Sequence, residues 1–106
     1  ENHDQRRCGM NYAYLLLCAD GSLYAGWTND LRRRLRAHNE GNGAKYTRAR
    51  RPVRLVYAEE YATKQEAQKR ECQFKKMNRK ERLLLIHTGR ENTVPTAFMD
   101  EVNTSE

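Results

Sequence analysis

The stretch NYAYLLLCADGSLYAGW, Asn11 to Trp27, decides the fold. An aromatic and aliphatic run from Asn11 to Cys18 meets the turn formers Asp20 and Gly21, and a second such run starts at Ser22. This is the pattern of a β-hairpin. Loop length then decides which residues share a face, because side chains alternate along a strand with a period of two. A two-residue Asp-Gly turn would pair Ala19 with Ser22 and set Tyr14 and Tyr24 on opposite faces. A three-residue loop with Gly21 in the left-handed region would pair Cys18 with Ser22 and set both tyrosines on one face. The second register is preferred, because it gathers two phenols where chemistry could use them.

Working outward, Thr28, Asn29 or Asp30 can cap a helix reaching about Asn39, with Gly41 or Gly43 to stop it. Leu31, Arg34, Leu35 and His38 form a single stripe on that helix, while Arg32, Arg33 and Arg36 point away. Residues 40–51 read as a basic, glycine-bearing loop. Pro52 opens a third strand through about Glu59, in which Val53, Leu55 and Tyr57 alternate with Arg54 and Val56. Thr63 and Glu66 make a capping box that starts a second helix through about Met77. Its inward stripe is Ala67, Arg70, Glu71 and Phe74. Asn78 with Glu81 can cap a third, short helix, Arg79 to His87, whose Leu83, Leu84, Leu85 and Ile86 supply core. From Thr88 onward the chain is polar and reads as a loosely held tail. The expected architecture is α+β: a small three-stranded mixed sheet, built from the N-terminal hairpin plus one strand and flanked by about three helices. The domain spans residues 11–87, with 1–10 and 88–106 as flexible polar tails.

A chain of 106 residues has room for one domain. With 38% hydrophobic and 32% charged residues the balance suits a globular protein better than a disordered one. No apolar run approaches the roughly 18 residues of a membrane span, and residues 1–9 lack the apolar region of a signal peptide, so a cytosolic protein with no membrane partner is expected. Cys8, Cys18 and Cys72 form an odd set without a C-x-x-C pair and read as reduced thiols. His3, His38 and His87 lack metal-ligand spacing. Residues 11–87 carry 17 Lys/Arg against 8 Asp/Glu, a net +9, whereas residues 88–106 carry one Arg against four acids, a net −3. Such a basic body favours polyanions by releasing their condensed counterions, although anionic membranes and acidic proteins would respond to the same field.

Taken singly, the polar residues of the stripes have ordinary explanations. Strand tyrosines pack, Arg34 can snorkel, and His38 can sit at a core edge. Glu71 can pair with Lys75 one turn on. Their combination asks for more, because a charge on a core-facing stripe carries a desolvation cost unless it is paired, binds metal or lines a cleft. Arg34 and Glu71 come from different helices, and each lies on its helix's apolar stripe. With two tyrosines on one sheet face, they suggest a pocket holding a base, an acidic metal ligand and a cation. Phosphodiester cleavage needs those parts.

Tyr12, Ala13 and Tyr14, followed by Tyr24, Ala25 and Gly26, resemble the paired motif of the GIY-YIG nucleases. Further matches follow in order: Asp30 and Leu31 lead into Arg34, His38 lies four residues beyond it, and Glu71 falls on the later helix at the family's metal-binding glutamate. The resemblance covers about residues 11–87. It is closest to the short, stand-alone bacterial members, which share the loop type seen at Gly43 to Thr47.

The resemblance implies that Glu71 holds one Mg²⁺ or Mn²⁺ with waters and the scissile phosphate. It implies that Arg34 stabilises the transition-state charge and that Tyr14 positions phosphate or water. Tyr24 is then the general base on water, directly or through the ion, and His38 shares the proton or binds phosphate. A phenol titrates near pH ~10, so a tyrosine base needs positive charge nearby, which Arg34, the ion and Lys45 can supply. Trp27, Lys45, Tyr46, Arg48, Arg50 and Arg51 are the expected nucleic-acid contacts, with DNA rather than RNA as the expected partner. The first motif departs from the family in reading Y-A-Y, and many members carry an asparagine about a dozen residues beyond the glutamate, where this chain has Leu83 and, earlier, Asn78. Three activities stay open: a metal-dependent endonuclease or nickase on structured DNA, a non-catalytic nucleic-acid-binding module, and a basic surface for an acidic protein.

Overall fold

Three strands carry the architecture: β1 (Asn11–Leu17), β2 (Leu23–Thr28) and β3 (Arg54–Tyr61), ordered β2-β1-β3. A computed structural model of the chain describes residues 9–104; Cys8, His3 and nearly all of the expected N-terminal tail lie outside the described residues. The hairpin takes the three-residue loop. Cys18 N–H donates to the Ser22 carbonyl at 2.9 Å, Gly21 N–H to the Cys18 carbonyl at 2.9 Å, and Gly21 has a φ of 86°, a left-handed value that glycine adopts without a Cβ penalty. Tyr14 therefore pairs with Gly26 and Leu16 with Tyr24, leaving both phenols on one face. Both pairings in the sheet are antiparallel, where a mixed sheet was expected. The two strands that run the same way, β2 and β3, are separated by β1.

Strand β3 also departs from the simple alternation. Leu15 pairs with Tyr57 but Leu16 pairs with Leu55, so Val56 is an extra residue in a β-bulge. As a result Leu55 joins the face that holds Tyr14, while Tyr57 joins the face of Ala13 and Leu15.

Helix α1 (Leu31–Asn39) is capped by Asp30, whose carboxylate accepts from Arg33 N–H at 3.1 Å. It buries Leu31, Leu35 and His38 as the stripe requires. A single helical turn, α2 (Lys45–Arg48), interrupts the loop expected over residues 40–51. Helix α3 (Lys64–Lys76) starts at the Thr63–Glu66 capping box and buries Ala67 and Phe74 on the other sheet face. Helix α4 (Arg79–Thr88) is capped by Asn78. Its four consecutive apolar residues do not all enter the core, since they sweep about 300° around the helix axis. Leu83 and Leu84 are 44% and 61% exposed, and Leu85 and Ile86 are half-buried.

The segment after Thr88 is not a loose tail. Thr96–Thr104 forms helix α5, and Val94, Met99 and Val102 are buried against the α1 side of the sheet. These apolar residues lie among enough Thr, Asn and acids that composition hid their spacing. Val94 N–H donates to the Ala58 carbonyl at 2.8 Å, and the Asn103 amide bonds both the N–H and the carbonyl of Leu55 at 2.7 and 2.9 Å. Among the described residues no helix is long and apolar enough to cross a membrane, and Cys18 and Cys72 are free thiols.

Candidate active site

The site is built on the α1 face of the hairpin. The ring of Tyr14 lies across its partner on β2, so closely that a Cβ added at Gly26 would stand 2.5 Å from the Tyr14 hydroxyl. At Gly43 an added Cβ would run into the imidazole of His38. Two glycines thus let strand and loop close on the two rings. His38, fully buried, has Nε2 3.0 Å from the Tyr14 hydroxyl and Nδ1 2.7 Å from the Thr47 hydroxyl. Arg34, half-buried one turn earlier on α1, donates from Nε to the same Tyr14 oxygen at 3.4 Å.

Tyr24 meets His38 edge-on, with ring centres 5.3 Å apart, and stacks on Tyr46 at 5.9 Å with 21° between planes. The guanidinium of Arg50 lies 3.8 Å from the Tyr46 ring centre. Arg50 is also tied down, donating to Asp20 at 3.0 Å and to the Tyr46 carbonyl at 2.8 Å. Tyr24, Tyr46 and Arg50 therefore form one braced stack at the mouth of the hairpin loop.

Burial dominates the electrostatics. It pushes the Tyr14 phenol up to about 12, against the hydrogen bond and charge of Arg34; the negative charge of Glu71 adds to the upward push. Burial pushes His38 down to about 4, and the nearby Arg34 charge acts in the same direction. At neutral pH the pair is thus a neutral phenol beside a neutral imidazole. With both ring nitrogens engaged and no exposed surface, His38 can orient Tyr14, whereas binding phosphate would require it to be reached.

Glu71 stands on α3 with its side chain 17% exposed, paired with Lys75 at 3.2 Å, the local ion pair that its spacing allows. Its field reaches Tyr14. Among the described residues no group of three His, Cys, Asp or Glu side chains could hold a metal ion, which argues against a cage of zinc type. A single carboxylate does fit a hard cation that keeps most of its waters and takes further oxygens from phosphate.

The remaining sequence candidates divide. Lys45 and Arg48 are exposed on α2. Arg51 folds back, donating to the carbonyls of Arg48 at 2.8 Å and Asn39 at 3.4 Å. Trp27 pairs with Ala13 and so lies on the opposite face from Tyr14, with the Lys64 ammonium 5.7 Å from its ring centre. The Asn78 side chain is engaged as the α4 cap, accepting from Glu81 N–H at 2.8 Å. Thr47, Gly26 and Gly43 line the Tyr14–His38 cluster, although the sequence placed them only as a loop residue, a motif position and a helix stop and gave none of them a part in the site. Arg70, on the same stripe as Glu71, instead pairs with the buried Glu59 at 2.8 Å.

Residues 10–83 match the GIY-YIG catalytic domain family. The chain is 58% identical over 77 residues to a UPF0213 protein of Clostridium perfringens, covering 73% of this chain and 83% of that one. It is 60% identical over 80 residues to a UPF0213 protein of Bacillus pumilus, covering 76% and 82%. Among solved structures, the UPF0213 protein BH0048 of Bacillus halodurans is similar at 41% identity with a TM-score of 0.50, over 76% of this chain and 85% of that one. The protein EF2693 of E. faecalis is similar at 44% identity with a TM-score of 0.51, over 77% and 91%. The Tyr14–His38–Arg34 cluster on its hairpin and helix falls within the matched segment, and the chain belongs to the GIY-YIG family, whose catalytic domain points to nuclease-type action on nucleic acid.

Proposed function

We propose that the chain is a metal-dependent endonuclease or nickase that hydrolyses phosphodiester bonds in DNA of branched or otherwise irregular structure. The observation that carries this reading is the convergence on one phenol. The Tyr14 hydroxyl is bonded by His38 and Arg34 and feels the charge of Glu71, while Tyr24 packs edge-on against the same His38, so groups from β1, β2, α1 and α3 gather at one place.

In this reading Arg34 stabilises the charge that builds on the phosphate oxygens, a role suited to a guanidinium held half-buried. Tyr24, braced by Tyr46 and His38, is the base that takes a proton from water. Tyr14 and His38 stay neutral and orient what lies beside them. Glu71 would hold one Mg²⁺ or Mn²⁺, which when bound neutralises phosphate charge. Lys45, Tyr46, Arg48, Arg50 and Arg51 would track the backbone. A single small domain whose contacts are mostly to phosphate reads shape rather than a long sequence, which favours structured DNA as substrate.

The test compares the native chain with Glu71→Ala on flap, junction, single-stranded and duplex DNA, with Mg²⁺, Mn²⁺ or chelator. Metal-dependent cleavage, reduced by at least about 10²-fold in the variant, is expected. Binding steeply reduced by salt is expected as well. Binding without cleavage, indifferent to metal and to the substitution, would favour a non-catalytic module, for which the Tyr24–Tyr46 stack, with Tyr46 39% exposed, offers a surface to a base.

A further inference from the structure

Thr47 sits on the one-turn helix α2, fully buried, and touches three polar atoms: His38 Nδ1 at 2.7 Å, the Ala44 carbonyl at 3.1 Å and the Ala44 N–H at 3.3 Å. A threonine hydroxyl has one proton and can accept twice. The Ala44 N–H can only donate and its carbonyl can only accept. If Thr47 gives its proton to the Ala44 carbonyl, it is left to accept from the Ala44 N–H and from a proton on His38 Nδ1, and all three contacts are met. If Thr47 instead gives its proton to Nδ1, the Ala44 carbonyl keeps only the Arg48 N–H, at 3.1 Å, and faces the Thr47 oxygen at 3.1 Å with no proton between them, so one of the three contacts is lost. Thr47 and His38 are both buried, so the contact between them is not exchanged for bulk water.

We propose that Thr47 is a positioning residue that fixes His38 as the tautomer protonated on Nδ1, so that the Tyr14 hydroxyl must donate its proton to His38 Nε2. The consequence rests on the nuclease reading above. A phenol whose proton is committed to His38 cannot donate to a phosphate oxygen, which is itself only an acceptor. It can accept, and it takes the Arg34 Nε–H at 3.4 Å. Tyr14, itself 1% exposed, is therefore an acceptor that orients the Arg34 guanidinium rather than a clamp on phosphate, and Thr47, with no contact to substrate, decides this through His38.

The experiment has a spectroscopic arm and a kinetic arm. Ring ¹⁵N spectra of the ¹⁵N-histidine-labelled chain, with His38 resolved from His3 and His87 by its contacts to Tyr14 and Tyr24, should show Nδ1 protonated and Nε2 bare. Thr47→Ser should keep that pattern, and Thr47→Val, which has the shape but no acceptor, should lose it. In cleavage assays Thr47→Val is expected to lower kcat about 10- to 10²-fold with KM changed less than about twofold, as for an interaction made in the transition state, and Thr47→Ser should restore most of it. A native spectrum with the proton on Nε2 would overturn the proposal, as would a folded Thr47→Val whose spectrum and kcat match the native chain. If Thr47→Val does not fold, the native and Thr47→Ser spectra decide the tautomer by themselves. If the native chain cleaves nothing yet shows the Nδ1 proton, the nuclease reading fails and the tautomer assignment stands.

Discussion

The two faces of the sheet each bury tyrosine hydroxyls, and they treat them in opposite ways. On the α3 face, Glu59 is fully buried and accepts from Tyr57 and Tyr61 at 2.6 Å each and from Arg70 at 2.8 and 3.2 Å. The carboxylate, with its arginine and two phenols, is closed on itself, and its pKa is held below the ordinary value by those hydrogen bonds and the Arg70 charge, in spite of burial. On the α1 face the chain Thr47, His38, Tyr14, Arg34 contains no counter-charge, and it ends on a half-buried guanidinium. A network that satisfies itself is scaffold. One that ends on a half-buried cation is a candidate site.

That contrast can be broken by experiment. The largest effect is expected at Glu59→Ala, which strands Arg70 and two phenols: removing one partner of a buried ion pair costs on the order of 3–5 kcal/mol of stability. Denaturant unfolding checks it, and a loss below about 1 kcal/mol would mean that the α3 network is not the scaffold described. Acid then separates the two faces. His38 titrates near 6.5 unfolded and about 4 folded, so as pH falls from 7 toward 4 the unfolded chain binds the extra proton first and stability drops, by about 3 kcal/mol at pH 4. Glu59, whose folded pKa is depressed, withdraws its contribution only below the ordinary 4.5. Unfolding free energies at pH 7, 5 and 4 should therefore fall already by pH 5, and a flat profile between 7 and 5 would contradict the buried neutral imidazole. The smallest effect belongs to neither face. Arg32 and Glu101, which join α1 to α5 at 3.1 Å, are 44% and 65% exposed, so Arg32→Ala should cost under about 1 kcal/mol by the same measurement.

The same contrast shows what the sequence could disclose. The rule that drew attention to Arg34 and Glu71, a charge on an apolar stripe, applies equally to Arg70. One sequence cannot tell a charge that waits for a ligand from one already paired, because Glu59 is 11 residues away on a strand whose face depends on a bulge. The hairpin register was legible because Gly21 and the chemistry of two phenols agreed. The β3 faces were not, since nothing in Val53 to Tyr57 marks Val56 as the extra residue. Thr47 escaped notice for a related reason: its partner, nine residues back on another helix, is reached only because α2 turns the loop inward. The C-terminal helix was missed because its core residues are few and its surface is polar.

That C-terminal segment has a consequence for how the sheet meets other chains. Strand β3 is an edge, with backbone groups turned outward, and Asn92, Val94 and Asn103 bond those of Glu60, Ala58 and Leu55 in succession. They occupy the places a neighbouring strand would take without forming a strand themselves. Uncovered edges recruit foreign strands and lead to aggregation; here the flank beside β3 is already sealed from within, so a visiting strand that sought to extend the sheet would have to approach along β2.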